Sequence, residues 1–317
     1  MDISVIIVSY NVRQLLIACL QSVIDTITGV DYEIIVVDNA SGDRSVDVVT
    51  KSFPQTKVIS NDENVGFARA NNQGYAVSRG DFLLLLNPDT TVKLGAIESV
   101  LEFMKNAPDA GMAVCRLLNP NGTLQKSIRR FPSVGEHLAR ALFIDRLVFR
   151  EYRRNVYYRT SPFEIDYSVG AFMMVRRKAI REMVLLDPEF FMYAEEKDLA
   201  LRLREKGWKT YFAPLGEIIH FAEQSTTQMA LEMFLELQRS QIKFFNRHSY
   251  GLHKGVLIWS YYFSLFTYFI GSLILPFSYN SRYRIKLFLA ALKNYPRFVR
   301  NHSCLIQKNK LINAGEQ

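Results

Sequence analysis

The chain has 317 residues, 49% of them hydrophobic and 22% charged, which is too apolar for a disordered polymer and ordinary for a packed one of one or two domains. Its net charge of +8 is unevenly placed: the first 277 residues carry 31 Lys/Arg against 30 acids, whereas eight Lys/Arg and one acid follow from Ser278 onward. A near-neutral body with a basic tail argues against a nucleic-acid binder and for an encounter with an anionic membrane surface, while three cysteines (Cys19, Cys115, Cys304) without CxxC spacing exclude a disulfide scaffold and fit a reducing compartment.

The opening MDISVIIVSYN has no basic segment ahead of a long apolar one, so no cleaved signal peptide is expected and the working part is expected to face the cytoplasm. Four β-branched or leucine-rich runs read as strands: Ile3–Ser9, Glu33–Asp38, Lys57–Ser60 and Asp81–Leu86. The last is nearly continuous apolar (FLLLL), as a strand covered on both faces should be. Between and after them lie the helical patterns Arg13–Ile27, Ser45–Ser52, Gly66–Ser78 and Leu94–Asn106. Strand–helix alternation at this spacing predicts right-handed βαβ units and a mostly parallel, Rossmann-like α/β sheet with flanking helices.

The stretch Lys126–Arg159 holds nine Lys/Arg against three acids and reads as an irregular, partly helical insertion. A strand at Tyr167–Val175, a helix at Glu196–Lys206 with Gly207 just past its end, short strands at Lys209–Phe212 and Ile218–Phe221, and a helix at Met229–Asn246 follow. Gly255–Phe277 contains no charged residue. As a helix it would extend ~34 Å, enough to cross a bilayer. A single crossing would leave the basic tail outside, against the positive-inside tendency, so a membrane-embedded hairpin or an interfacial helix fits better, with a buried core or oligomer helix as the alternative. The expected division is residues 1–247 as a catalytic domain and 248–317 as a helical membrane-associated region.

In open α/β sheets ligands bind beyond the carboxyl ends of the strands. Polar residues gather at those ends here: Ser9-Tyr10-Asn11 after the first strand, Asp38 to Asp43 after the second, and Asn87-Pro88-Asp89 after the fourth. The first turn lacks GxGxxG and no GxxxxGK[ST] is present, which demotes a dinucleotide enzyme and excludes a P-loop. Asp38 reads as an acceptor for a ribose or base, or as a cap for the following helix. Asn64, Gly66 and Arg69 open a polar helix whose N-terminus favours anions, or simply bury an amide or two. Asp89 alone is a poor metal site, because a hard cation needs several oxygen ligands; a diphosphate supplies some and His220 is a candidate partner. Glu195, Glu196 and Asp198 complement a helix dipole, or else provide a partly desolvated general base.

Together these stretches resemble the inverting, nucleotide-sugar-dependent glycosyltransferases of family 2 with the GT-A fold, specifically their bacterial rhamnosyltransferase-like branch. The matching segments are SVIIVSYN, IIVVDNASGD, ENVGFARANNQG, LLLLNPD, Gly170-Ala171 within DYSVGAFMMVRR, FFMYAEEKDLALRLREKGW, and His220 followed by Ser225-Thr226. The resemblance covers roughly residues 1–247. It implies a donor site of Ser9, Tyr10, Asn11, Asp38, Asn64, Gly66, Arg69 and Asn87, with Asn87 standing where the family's DXD element begins and Asp89 as its surviving acid. It implies Mg²⁺ or Mn²⁺ on Asp89 and His220, a base at Glu196 with Glu195 as the alternative, and an acceptor side at Gly170, Ala171 and Asp198.

The reaction so implied moves a sugar, L-rhamnose from dTDP-L-rhamnose by branch resemblance, to a saccharide on a polyprenyl diphosphate at the cytoplasmic face of a bacterial plasma membrane. A UDP-hexose donor and a catalytically silent sugar-nucleotide-binding assembly subunit are the competing readings. Asn87 and Glu196 are the two departures from the family pattern that invite the second of these.

Overall fold

The computed structural model describes residues 1–145, 157–222, 230–274, 289–290 and 292–294. Strands β1 (Ile3–Ser9), β2 (Tyr32–Asp38), β3 (Lys57–Ser60) and β4 (Phe82–Leu86) alternate with helices α1 (Arg13–Thr26), α2 (Ser45–Ser52) and α3 (Phe67–Val77). α1 forms because Leu16, Cys19, Leu20 and Val23 recur at helical spacing and face the sheet, where all four are fully buried. β4 is buried along its whole length, as its leucine run requires.

Beyond β4 come β5 (Thr90–Val92), α4 (Ala96–Asn106), β6 (Ala110–Leu118), β7 (Ile128–Arg129), α5 (Val134–Ala141), β8 (Phe163–Ile165), β9 (Tyr167–Ser168), β10 (Phe172–Arg176), α6 (Glu195–Glu205), β11 (Lys209–His220), α7 (Ala230–His248) and α8 (Gly251–Ile274). Among the described residues nine strands form one sheet in the order β3-β2-β1-β4-β10-β6-β11-β5, with β8 also on β11.

The sheet is mixed, not mostly parallel. β1 to β4 pair in parallel, but β10 runs antiparallel between β4 and β6. The register explains the reversal: Phe172 pairs with Leu86, so the chain enters β10 at the edge where β4 ends and can only run back. The expected strand Tyr167–Val175 is two strands, β9 and β10, separated by Val169, Gly170 and Ala171. The two short strands expected after residue 208 are one, β11, whose pairing with β6 shifts register between Phe212 and Glu217.

Two compact units divide the chain. The first takes the described residues of 1–130, 159–191 and 195–222, and contains the sheet. The second takes those of 131–158, 192–194 and from 230 onward. Within the second unit α5 begins at a Ser133 cap that accepts the Glu136 N–H. Its buried His137 meets the Ser260 hydroxyl of α8 at 2.9 Å, and Tyr261 of α8 donates to Gln238 of α7 at 2.8 Å. These contacts put α7 and α8 with the α5 segment. Among the described residues no helix is long and apolar enough to cross a membrane. Residues 275–277, Ser225-Thr226, four arginines of the basic insertion (146, 150, 153, 154) and nearly all of the basic tail lie outside the described residues.

Candidate active site

The carboxyl ends of β1, β2 and β4 form one edge of the first unit. Ser9 and Asp38 are direct partners in the β1–β2 register, and both are buried. Asp38 Oδ2 accepts the Ser41 N–H at 2.8 Å, while Asp38 Oδ1 and Ser9 Oγ, though buried, have no hydrogen-bond partner among the described residues. Such groups are costly unless a ligand satisfies them. Asn11, in the left-handed region at φ 54°, donates its N–H to Ser41 Oγ and accepts the Gly42 N–H, which ties the β1 and β2 loops together. Tyr10, which follows Ser9, is half-buried. Asp43 braces the same pair of loops. Burial opposes its charge, but hydrogen bonds from Ser45 and Arg13 outweigh that and hold its pKa below the usual carboxylate range.

The start of α3 is spent on the protein itself rather than left open to an anion. The Phe67 N–H donates to Phe191 O at 2.7 Å, and Arg69, although exposed, donates through Nε to Pro188 O. Asn64 accepts the Gly66 N–H. Gly66 has φ +90°, and a Cβ there would lie 2.6 Å from Phe191 O. Gly66→Ala is therefore expected to cost roughly 2–5 kcal/mol through backbone strain and overpacking. Thermal melting checks this, and an unchanged midpoint would mean that α3 does not dock on the 188–191 segment. Deeper amides (Asn39, Asn61, Gln73) bond one another, so much of the polar helix start is structural.

Asn87 begins the turn that leads to β5. Its N–H donates to Ala171 O, and its carbonyl accepts the Thr90 hydroxyl. Beneath the turn lies Cys19, whose thiol is pushed up to about 12 by burial, with the Asp89 charge adding to the shift; it stays protonated. β5 pairs antiparallel with β11 so that Thr90 opposes His220, and the Phe221 N–H donates to Asp89 O. Main-chain bonds thus set Asp89 beside His220, with Oδ1 and Nε2 3.4 Å apart and both side chains buried.

His220 Nδ1 faces Gln125 Oε1 at 2.7 Å, an acceptor, so a neutral imidazole here places its proton on Nδ1 and turns the Nε2 lone pair toward the carboxylate. Two facing lone pairs call for a positive charge between them. Two ligands of one small octahedral ion lie about 3 Å apart, so the spacing of this pair would fit a divalent cation. Among the described residues no group of three His, Cys, Asp or Glu gathers to hold a metal, so the remaining ligands would be donor oxygens and water.

Gly170 and Ala171 connect this turn to the carboxylates. Ala171 O holds Asn87, and a Cβ on Gly170 would lie 3.7 Å from Glu196 Cβ. Two successive residues therefore touch the β4 turn and Glu196. Ahead of α6, Tyr193 and Ala194 both adopt positive φ, a conformation that costs a non-glycine residue energy. Burial pushes the Glu196 carboxyl above its ordinary value, and the charges of Lys197 and Arg129 offset only part of this. Glu195 is more deeply buried. Asp198, for which the sequence suggests acceptor contact or a helix-end role, is fully buried and takes Arg202 Nε at 2.6 Å, while Arg202 also binds the carbonyls of Val184 and Leu185. Asp198 braces α6. Sequence reading passed over Gln125 and Phe191, because neither is unusual until the fold sets it against His220 or Gly66.

Glycosyl transferase family 2, as a family profile, matches residues 4–184. The chain is 25% identical over 242 residues to N-acetylglucosaminyl-diphospho-decaprenol L-rhamnosyltransferase of Mycobacterium tuberculosis, covering 72% of this chain and 78% of that protein. It is 24% identical over 191 residues to rhamnosyltransferase WbbL of Escherichia coli, covering 57% and 70%. Among solved structures it resembles the mannosyltransferase PcManGT of Pyrobaculum calidifontis in complex with GDP-Man and Mn²⁺, at TM-score 0.60 and 14% identity over 93% of this chain and 87% of that one. That likeness shows a mixed α/β, GT-A-like fold.

Proposed function

The chain belongs to glycosyl transferase family 2, and from that premise we propose that it transfers L-rhamnose from dTDP-L-rhamnose to a hydroxyl of a polyprenyl-diphosphate-linked saccharide at the cytoplasmic membrane face. The observation that carries the reading is the Asp89–His220 pair, poised for a cation on the sheet edge that also bears Asp38. The names of the two rhamnosyltransferase relatives favour the donor sugar, and the decaprenol in one of them favours the acceptor class.

In this reading Asp38 and Ser9 hold the nucleoside, which satisfies the carboxylate oxygen and hydroxyl left without a partner among the described residues. Asp89 and His220 would hold Mg²⁺ or Mn²⁺, which supplies positive charge beside the departing diphosphate. Glu196 takes the acceptor hydroxyl's proton as that oxygen bonds to the anomeric carbon and the carbon–diphosphate bond breaks. A single displacement inverts the anomeric configuration. Gly170, with no side chain, leaves room beside Glu196 for the incoming alcohol.

The membrane part of the proposal draws on α8. Leu252, Val256, Trp259 and Phe266 are exposed and, with half-buried Phe263, recur every three or four residues; Trp259 stacks on Phe263. This apolar stripe suits an interfacial helix. Anionic lipid is the partner expected for the basic tail.

A panel of nucleotide sugars, assayed for release of nucleoside diphosphate with and without chelator, tests the function. The expected result is metal-dependent release with dTDP-L-rhamnose in preference to UDP-hexoses. Release only from a UDP-hexose would move the donor assignment, and no release or binding with any donor would leave the silent assembly subunit.

A further inference from the structure

The loop between β6 and β7 meets His220 through a chain of hydrogen bonds that can run in one direction only. The Thr123 N–H donates to Asn121 Oδ1 at 3.1 Å, so that oxygen is an acceptor. The Thr123 hydroxyl, 2.6 Å from the same oxygen, must therefore donate to it. Its lone pair is left for Asn119 Nδ2 at 3.0 Å. This turns Asn119 Oδ1 toward Gln125 Nε2 at 3.1 Å, and the same nitrogen donates to the His220 main-chain carbonyl at 3.3 Å. Gln125 Oε1 then faces His220 Nδ1 at 2.7 Å. The polarity is set at one end by a backbone N–H and at the other by a backbone carbonyl, neither of which can be reversed.

We propose that this relay locks the tautomer of His220, and that Gln125 is the positioning residue that keeps Nε2 open as a ligand facing Asp89. The proposal rests on the cation reading above and adds what prepares the site before any ion arrives. A neutral imidazole otherwise divides its proton between two nitrogens. In the other tautomer an Nε2–H would bond Asp89 directly and close the pair against a cation. Gln125 is itself anchored independently of its side chain, since its N–H donates to Leu117 O. Changing the side chain should therefore leave the loop in place.

The test uses the full chain labelled with ¹⁵N-histidine, which has five histidines in all, with His220 assigned from a His220→Asn variant. Measured without metal and above the ordinary histidine range, wild type should show Nδ1–H, and Gln125→Leu should move the proton to Nε2. Mn²⁺ binding in the presence of dTDP, followed as the protein-dependent loss of the electron spin resonance signal, should weaken about 10- to 100-fold in Gln125→Leu. Gln125→Glu, which keeps an acceptor facing His220 Nδ1, should keep the Nδ1–H signal that Gln125→Leu loses. An unchanged tautomer or unchanged Mn²⁺ affinity in Gln125→Leu would overturn the proposal. Failure of wild type to bind Mn²⁺ would overturn the cation reading and this role with it, and an intact Nδ1–H signal would identify the cation, not the relay, as the part that failed.

Discussion

Glu196→Gln is expected to lower turnover about 100- to 10,000-fold with little change in donor affinity, the range lost when a positioned base is removed. The amide matches the carboxylate in size and takes no proton, so packing against Gly170 survives while the chemistry does not. Because burial raises the Glu196 pKa, the acid limb of the wild-type rate profile should lie above 4.5, the ordinary glutamate value, and the variant should lose that limb. The sign for stability follows from the same shift. Between 4.5 and the higher folded value the folded chain keeps a proton that the unfolded chain has lost, so stability falls as pH rises through that window. The variant should flatten this slope. Steady-state kinetics and melting across pH check both halves, and near-normal turnover would move the base to Glu195.

Asp89→Ala should abolish metal-dependent donor binding and lower kcat/KM by about 100- to 1,000-fold, the scale of losing a stabiliser of developing charge. The fold should survive, because the bonds that set residue 89 beside His220 are main-chain: Phe221 N–H to Asp89 O, and Thr90 opposite His220. Circular dichroism together with donor titrations, with and without chelator, measures this. Donor affinity that is equal in variant and wild type, and indifferent to chelator in both, would remove the cation from the mechanism.

The two experiments separate the two ends of the site. Glu196 acts on the acceptor's proton and Asp89 on the donor's departing charge, so the first variant should bind donor without turning it over, and the second should fail to bind it in the metal-dependent way. Asp198, which carries the same charge two residues after Glu196, belongs to neither group, because Arg202 already holds it within α6.

Local pattern alone specified the first half of the sheet. Leucine and β-branched runs of strand length, bounded by polar turns, put Ser9, Asp38 and Asn87 at strand ends, and the helical spacing of Leu16, Cys19, Leu20 and Val23 specified α1. Short-range patterns carry this information because each element's period is set by its own backbone. Strand direction in the second half was not legible, since β10 is an ordinary apolar run whichever way it points. Only the entry of the chain at the β4 edge makes it antiparallel. The sharing of work among Glu195, Glu196 and Asp198 was hidden for the same reason. Three acids in one helical turn look alike until packing sets one against Gly170 and gives another to Arg202. The pairing of Asp89 with His220, 131 positions apart, and the relay from Thr123 through Gln125 exist only once β5 lies against β11. Sequence carries the residues and their local geometry, whereas contacts between distant segments are settled by how the sheet closes.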